Sequence, residues 1–109
     1  MDLGLSKEQQ EYGKSFAKLC KEEIAPAAAK LDAGGAAARD FFAKLGECGF
    51  LGLLIPKEYG GRGADAVTMA LGAEEFAAAS ASVAGAAVIS SVTAAMPIVR
   101  FGSDDMKKK

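Results

Sequence analysis

Apolar residues recur at three- and four-residue steps early in the chain: Tyr12, Phe16, Leu19, Cys20, Ile24, Ala27 and Leu31. That spacing puts them on one face of an α-helix, with Lys14, Lys18, Lys21 and Glu22 mostly off it. Ser6-Lys7-Glu8-Gln9 fits a capping box, so the helix is predicted to start at Ser6. Pro26 removes a donor and sets its ring against the carbonyl of Glu22, which predicts a kink or a break, with the second part ending near Asp32-Ala33-Gly34-Gly35. A shorter helix follows from about Ala38 to Cys48, with Phe41, Phe42, Leu45 and Cys48 apolar and Gly49 as its C′ residue. The run Phe50 to Ile55 has the length of a strand but no partner strand, so a turn of helix or buried extended chain is expected, with Pro56 pushing Ile55 out of the α region.

After the loop from Lys57 to Gly63, a third helix spans about Asp65 to Ala79, its apolar side carrying Val67, Ala70, Leu71 and Glu74 to Phe76. Ser80 and Ser82 are both possible caps for a fourth helix, which runs to about Met96 and is ended or kinked by Pro97. Phe101-Gly102 is a turn. Ser103-Asp104-Asp105 then supplies a cap and first-turn acids for a fifth helix. The fold class is therefore all-α: an antiparallel bundle of about four helices plus a fifth that looks truncated, all within one domain over residues 1–109. The stretch after Ser103 is under two turns and unstable alone in water. A chain that is part of something longer explains it better than a frayed natural end.

Composition narrows the function. Half of the 109 residues are hydrophobic, a quarter are charged, and the formal charge is −1. No basic patch rises above Lys107-Lys108-Lys109, so nucleic acid is not an expected partner. The uncharged stretch from Phe76 to Val99 is long enough for a bilayer. It is rich in alanine, however, and holds Ser80, Ser82, Ser90, Ser91, Thr93 and Pro97, which argues against a membrane. There is no histidine and no C-x-x-C, so no metal site is expected. Cys20 and Cys48 fit buried free thiols in a reducing compartment. The N-terminus has no basic n-region and no Arg-rich presequence, which points to a cytoplasmic location.

Catalytic groups are harder to find. Glu74 and Glu75 are adjacent, hence about 100° apart on a helix, and do not converge on one atom. Gly60-Gly61-Arg62-Gly63 lacks the Lys-Ser/Thr of a P-loop and the strand of a Rossmann fingerprint; the expected role is a turn with positive φ and tight packing against Tyr59. No catalytic residue is assigned. The fourth helix carries small and short side chains at helical steps, namely Gly85, Ala86, Ile89, Ser90 and Thr93. Such a face admits a close neighbour, either another helix or an apolar ligand in a groove.

The segment Phe50-Leu-Gly-Leu-Leu-Ile-Pro56-Lys-Glu-Tyr-Gly-Gly-Arg-Gly63 resembles the helix-to-helix connection of the acyl-CoA dehydrogenase family, roughly G-[LF]-L-G-x-x-x-P-x-x-Y-G-G-x-G. Four more segments resemble the same N-terminal domain in order: Leu5-Ser6-Lys7-Glu8-Gln9, Glu22-Glu23-Ile24-Ala25-Pro26, Glu74-Glu75-Phe76-Ala77, and Pro97 to Ser103 with Lys107. The chain departs from the family at Ala78 and Ser80, where a basic residue and an acid are usual, and at Ala38, usually proline. An interhelical ion pair at Ala78 and Ser80 is therefore not expected.

The resemblance implies an enzyme that oxidises the Cα–Cβ bond of an acyl-CoA thioester. A base removes the α-proton, FAD accepts the β-hydride, and electrons pass to electron-transferring flavoprotein. The base and most of the FAD site would lie in a β-domain and a C-terminal helical domain outside these residues. This chain alone would bind neither FAD nor acyl-CoA tightly, and its flavin-contacting residues are unassigned. Its share would be one wall of the acyl pocket: Gly85, Ala86, Ile89, Ser90 and Thr93, with Gly85 and Ala86 leaving space at the pocket floor. By the same resemblance the full protein would be a homo-oligomer, a tetramer. Two other readings remain at this stage: a stand-alone helical interaction module without catalysis, and a domain of a related acyl-CoA oxidase or flavin monooxygenase.

Overall fold

The computed structural model describes residues 4–33 and 36–109, the side chains of 36–38 excepted. Every regular element among them is helical. Four arms follow one another. The first comprises α1 (Lys7–Leu19), a wide π turn (Cys20–Ile24) and α2 (Ala25–Asp32). The second is α3 (Ala36–Glu47), and the third is α4 (Ala66–Ala79). The fourth comprises α5 (Ala81–Val88), a second π turn (Ile89–Ala94) and α6 (Ala95–Phe101). A short α7 (Asp104–Lys108) closes the chain, capped by Ser103. The first arm ends at Asp32 with Ala33 as its C-cap, within the stretch where it was expected to end; Gly34 and Gly35 lie outside the described residues.

The predicted capping box is present. Ser6 Oγ accepts from Gln9 N at 3.1 Å, and Gln9 Oε1 accepts from Ser6 N at 2.9 Å. Direction alternates along the arms, so α1 and α4 run the same way and pack along each other. Their starts are tied by Gln9, which donates to Asp65 at 2.8 Å. The end of α3 shows why Gly49 is glycine. Its φ is 84°, Phe50 N–H reaches back to Leu45 O at 3.1 Å, and Gly49 N–H reaches Gly46 O at 2.9 Å. This double closure is a Schellman motif, and Leu45 and Phe50 make its apolar contact, both fully buried.

Phe50 then delivers its ring to the centre of the core. Phe16, Phe50 and Phe76 meet edge to face, with centroids 5.4, 5.7 and 4.5 Å apart. Such pairs add about 0.5–1.5 kcal/mol each beyond the area they bury. Gly72 makes this trio possible, since a Cβ there would collide with the Phe50 ring and press on Phe16. Cys20, Ile24, Phe41, Leu45, Leu53, Met69, Val83, Ala84 and Ala87 complete the buried cluster.

Some expectations resolve and others need correction. Of the kink or break expected at Pro26 the arm shows no break, and the fourth arm runs past Met96 and Pro97 to Phe101. In both, the hydrogen-bond ladder widens just upstream. Ala25 N–H reaches back five residues to Cys20 O, and Ala95 N–H reaches Ser90 O. The π turn relieves the clash that a proline ring would make with the carbonyl four residues back. The core face of α4 is Thr68, Met69, Gly72 and Phe76; Val67 is 47% exposed, because the Asp65 cap and the Phe50 ring fix the rotation of the helix. Gly61 sits hard against the carbonyl of Ile55. The expected positive φ does occur nearby, at Gly60 (85°) and Gly63 (62°).

Candidate functional site

Ser80 sets the course of the fourth arm. It ends α4, and its hydroxyl accepts from Val83 N at 3.4 Å to start α5. From there one side of the arm enters the core through Val83, Ala84, Ala87 and Ser91. Ser91 is polar yet satisfied, donating to Ala87 O at 2.8 Å and lying 3.4 Å from Phe50 O. The five wall residues lie off this core side. Gly85, Ile89, Ser90 and Thr93 are exposed and Ala86 is half-buried. Ile89 is 60% exposed, and a Cβ on Gly85 would meet nothing within 4 Å. Ser90 and Thr93 make no side-chain hydrogen bond with the described residues. The five therefore form one continuous, mainly apolar strip that the described residues leave uncovered except at Ala86.

Two concavities adjoin this arm. A hollow of about 100 Å³ is lined by Leu31, Phe41, Phe42, Ser82, Val83 and Ala86. Further along, a groove of about 430 Å³ is lined by Leu54, Val92, Met96, Pro97, Arg100 and Phe101. Phe101 is 86% exposed. The sequence pattern did not single out either concavity. A signal for the first was present in Phe41-Phe42: adjacent helical residues point about 100° apart, so both rings cannot enter one core.

Ionisable groups are sparse around the strip. Glu74 is exposed and Glu75 half-buried, and neither converges with another acid. Among the described residues no group of three or more His, Cys, Asp or Glu could hold a metal. Burial, helped by the field of Glu75, pushes the Cys20 thiol up to about 11. Burial also raises Cys48, although Arg62 opposes it. Both cysteines are free thiols and are protonated near neutrality. What the arrangement offers is a surface for hydrocarbon and two free hydroxyls.

The family described as acyl-CoA dehydrogenase, N-terminal domain, matches residues 6–109, and the chain belongs to it. Probable acyl-CoA dehydrogenase YngJ of Bacillus subtilis is 37% identical over 99% of this chain and 28% of its own length. Benzylmalonyl-CoA dehydrogenase of Aromatoleum aromaticum is 35% identical over 100% of this chain and 29% of its own. Among solved structures, butyryl-CoA dehydrogenase from Megasphaera elsdenii superposes with a TM-score of 0.88 at 26% identity, covering 99% of this chain and 29% of that one. A chain in the structure described as an electron transferring flavoprotein of Acidaminococcus fermentans gives 0.92 at 30% identity, over 99% and 28%. The chain thus spans a little over a quarter of the relatives it matches.

Proposed function

We propose that this domain serves, within a longer protein, an FAD-dependent acyl-CoA dehydrogenase that oxidises the Cα–Cβ bond of a thioester, and that Gly85, Ala86, Ile89, Ser90 and Thr93 form one wall of its acyl pocket. The uncovered strip on the fourth arm carries the reading. The arm's other side is buried in the core, so the bare side is spare surface of the shape and polarity that an acyl chain needs. A flavin does not fit here: the strip has two hydroxyls and no cluster of N–H donors or cations for a pyrophosphate. FAD and the catalytic base are read as belonging to the remaining domains, and this domain alone as inactive. Electron-transferring flavoprotein is the proposed electron acceptor, and the assembly is read as a homo-oligomer, a tetramer by family likeness.

We read the location as cytoplasmic, with neither membrane nor nucleic acid as partner. Ala81–Phe101 is long and apolar enough to cross a membrane, with a mean hydropathy of 1.8. Its Val83, Ala84, Ala87 and Ser91 side is committed to the core, which supports a soluble setting.

The test joins this domain to the remaining domains encoded with it, or to those of YngJ if none are. Flavin absorbance and reduction of a dye acceptor by saturated acyl-CoA are then measured. Stoichiometric flavin with acyl-CoA-dependent reduction is expected, and neither from the isolated chain. A flavin-loaded protein that takes electrons from no acyl-CoA would refute the reading. One that passes them directly to oxygen would favour the oxidase alternative.

A further inference from the structure

The hollow beside Ala86 is continuous with the proposed wall. Ser82, Ala86, Ile89 and Thr93 succeed one another by three or four residues along one side of the arm, so a chain lying on the wall and extending toward the start of α5 reaches the hollow next. Its lining is Leu31, Phe41 and Phe42 opposite Ser82, Val83 and Ala86, with no titratable side chain. The one polar group, the Ser82 hydroxyl, is engaged at 3.3 Å by Asp32 Oδ1. A site with so few polar partners holds water poorly. Its volume of about 100 Å³ is somewhat below the roughly 150 Å³ of an apolar cavity that takes up benzene. It suits a few carbons, straight or branched.

We infer that this hollow receives the terminal carbons of the acyl chain and that Phe42 sets how far the chain can reach. The inference rests on the proposed acyl-CoA reading and deepens it. The two phenylalanines have different roles. Phe41 is buried in the core cluster, so changing it would disturb the fold. Phe42 is half-buried and outside that cluster, and its ring can change size at less structural cost. Phe42 is a specificity-determining residue at the far end of the pocket, remote from the reacting carbons.

The experiment compares the complete enzyme with its Phe42→Leu and Phe42→Trp variants on short-, medium- and long-chain acyl-CoA, recording kcat/KM, flavin content and Tm. Phe42→Leu should raise the long-to-short ratio roughly tenfold and Phe42→Trp lower it roughly tenfold, the scale on which a pocket discriminates by a methylene or so. Flavin content should be unchanged. If one variant fails to load flavin, the other still gives the ratio. An unaltered ratio, or equal losses at every length, overturns the inference, since the hollow is then filled by a side chain of another domain or serves packing alone. In that case the wild-type enzyme would still oxidise acyl-CoA, and the proposed function would stand. A wild-type enzyme that oxidised no acyl-CoA would overturn both.

Discussion

Asp65 holds two helix starts with one carboxylate. Oδ1 accepts from Thr68 N at 2.8 Å and Thr68 Oγ1 at 2.7 Å, capping α4. Oδ2 accepts from Gln9 Nε2 at 2.8 Å, and Gln9 itself closes the capping box of α1. The bonds from Thr68, then that from Gln9, hold the carboxyl below its usual pKa.

For a carboxyl lowered in the folded state, the stabilisation is complete above the unfolded value of about 3.9 and disappears as pH falls through the folded one. Asp65→Ala should therefore lower Tm at neutral pH and flatten the acid limb of the Tm–pH curve. Asp65→Asn should fall between, since its amide oxygen still accepts from Thr68. Circular dichroism melts from neutral to acid pH check this, and parallel acid limbs for wild type and Asp65→Ala would contradict it.

Gly72→Ala and Gly85→Ala should act in opposite directions. Both gain roughly 0.5–1 kcal/mol of helix propensity. At Gly72 the new methyl meets the Phe50 and Phe16 rings, an overpacking that costs about 1–3 kcal/mol, so the variant is net destabilised. At Gly85 it meets open space, so the variant is stabilised. Urea midpoints distinguish the two, and a stabilised Gly72→Ala would mean the aromatic trio can yield.

Cys20 should resist alkylation by iodoacetamide near neutral pH and react rapidly once urea unfolds the chain. The residue is 5% exposed, its thiol is pushed up to about 11, and the thiolate is the nucleophile. Mass spectrometry of the Cys20 and Cys48 peptides gives the two rates, and equal native and unfolded rates at Cys20 would show that the core opens readily.

In the complete enzyme, Gly85→Leu should penalise long acyl-CoA by roughly 1–3 kcal/mol in transition-state binding and spare short ones. A Cβ at Gly85 meets nothing within 4 Å, so the added side chain starts out in open space rather than in the domain's core. Chain-length-independent losses in kcat/KM would place the wall elsewhere.

Much of this fold was legible because local rules and tertiary packing agree. Ser6, Gly49, Asp65, Ser80 and Ser103 each mark a helix end where the sequence put one. The rotation of α4 was not legible. Its 14 residues are apolar nearly all round, so periodicity had no polar face to orient it, and the choice fell to the ring of Phe50 from another part of the chain. The exposed strip on the fourth arm was visible as a run of small and short side chains. The hollow beside it was not, since it needs Leu31 and Phe42 brought in from two other helices.

The π turn of the fourth arm is also an angular offset. Carried on at 3.6 residues per turn, the inward series Ala84, Ala87 and Ser91 would pass through Ala94 and Ala95 and then point Ile98 at the core. Ala94 and Ile98 are instead exposed, and Val92, Ala95, Met96 and Val99 are the partly buried residues. One extra residue in the wide turn has advanced the inward side by one position. Chain length here consequently outranks composition. Closing that turn into an even helix at full length would turn Val99 out and Ile98 in, swing the groove at Phe101 by about 100°, and drive Pro97 onto a carbonyl it now avoids. Deleting one residue between Ile89 and Ala94 would take the offset out as well and leave Val99 facing in.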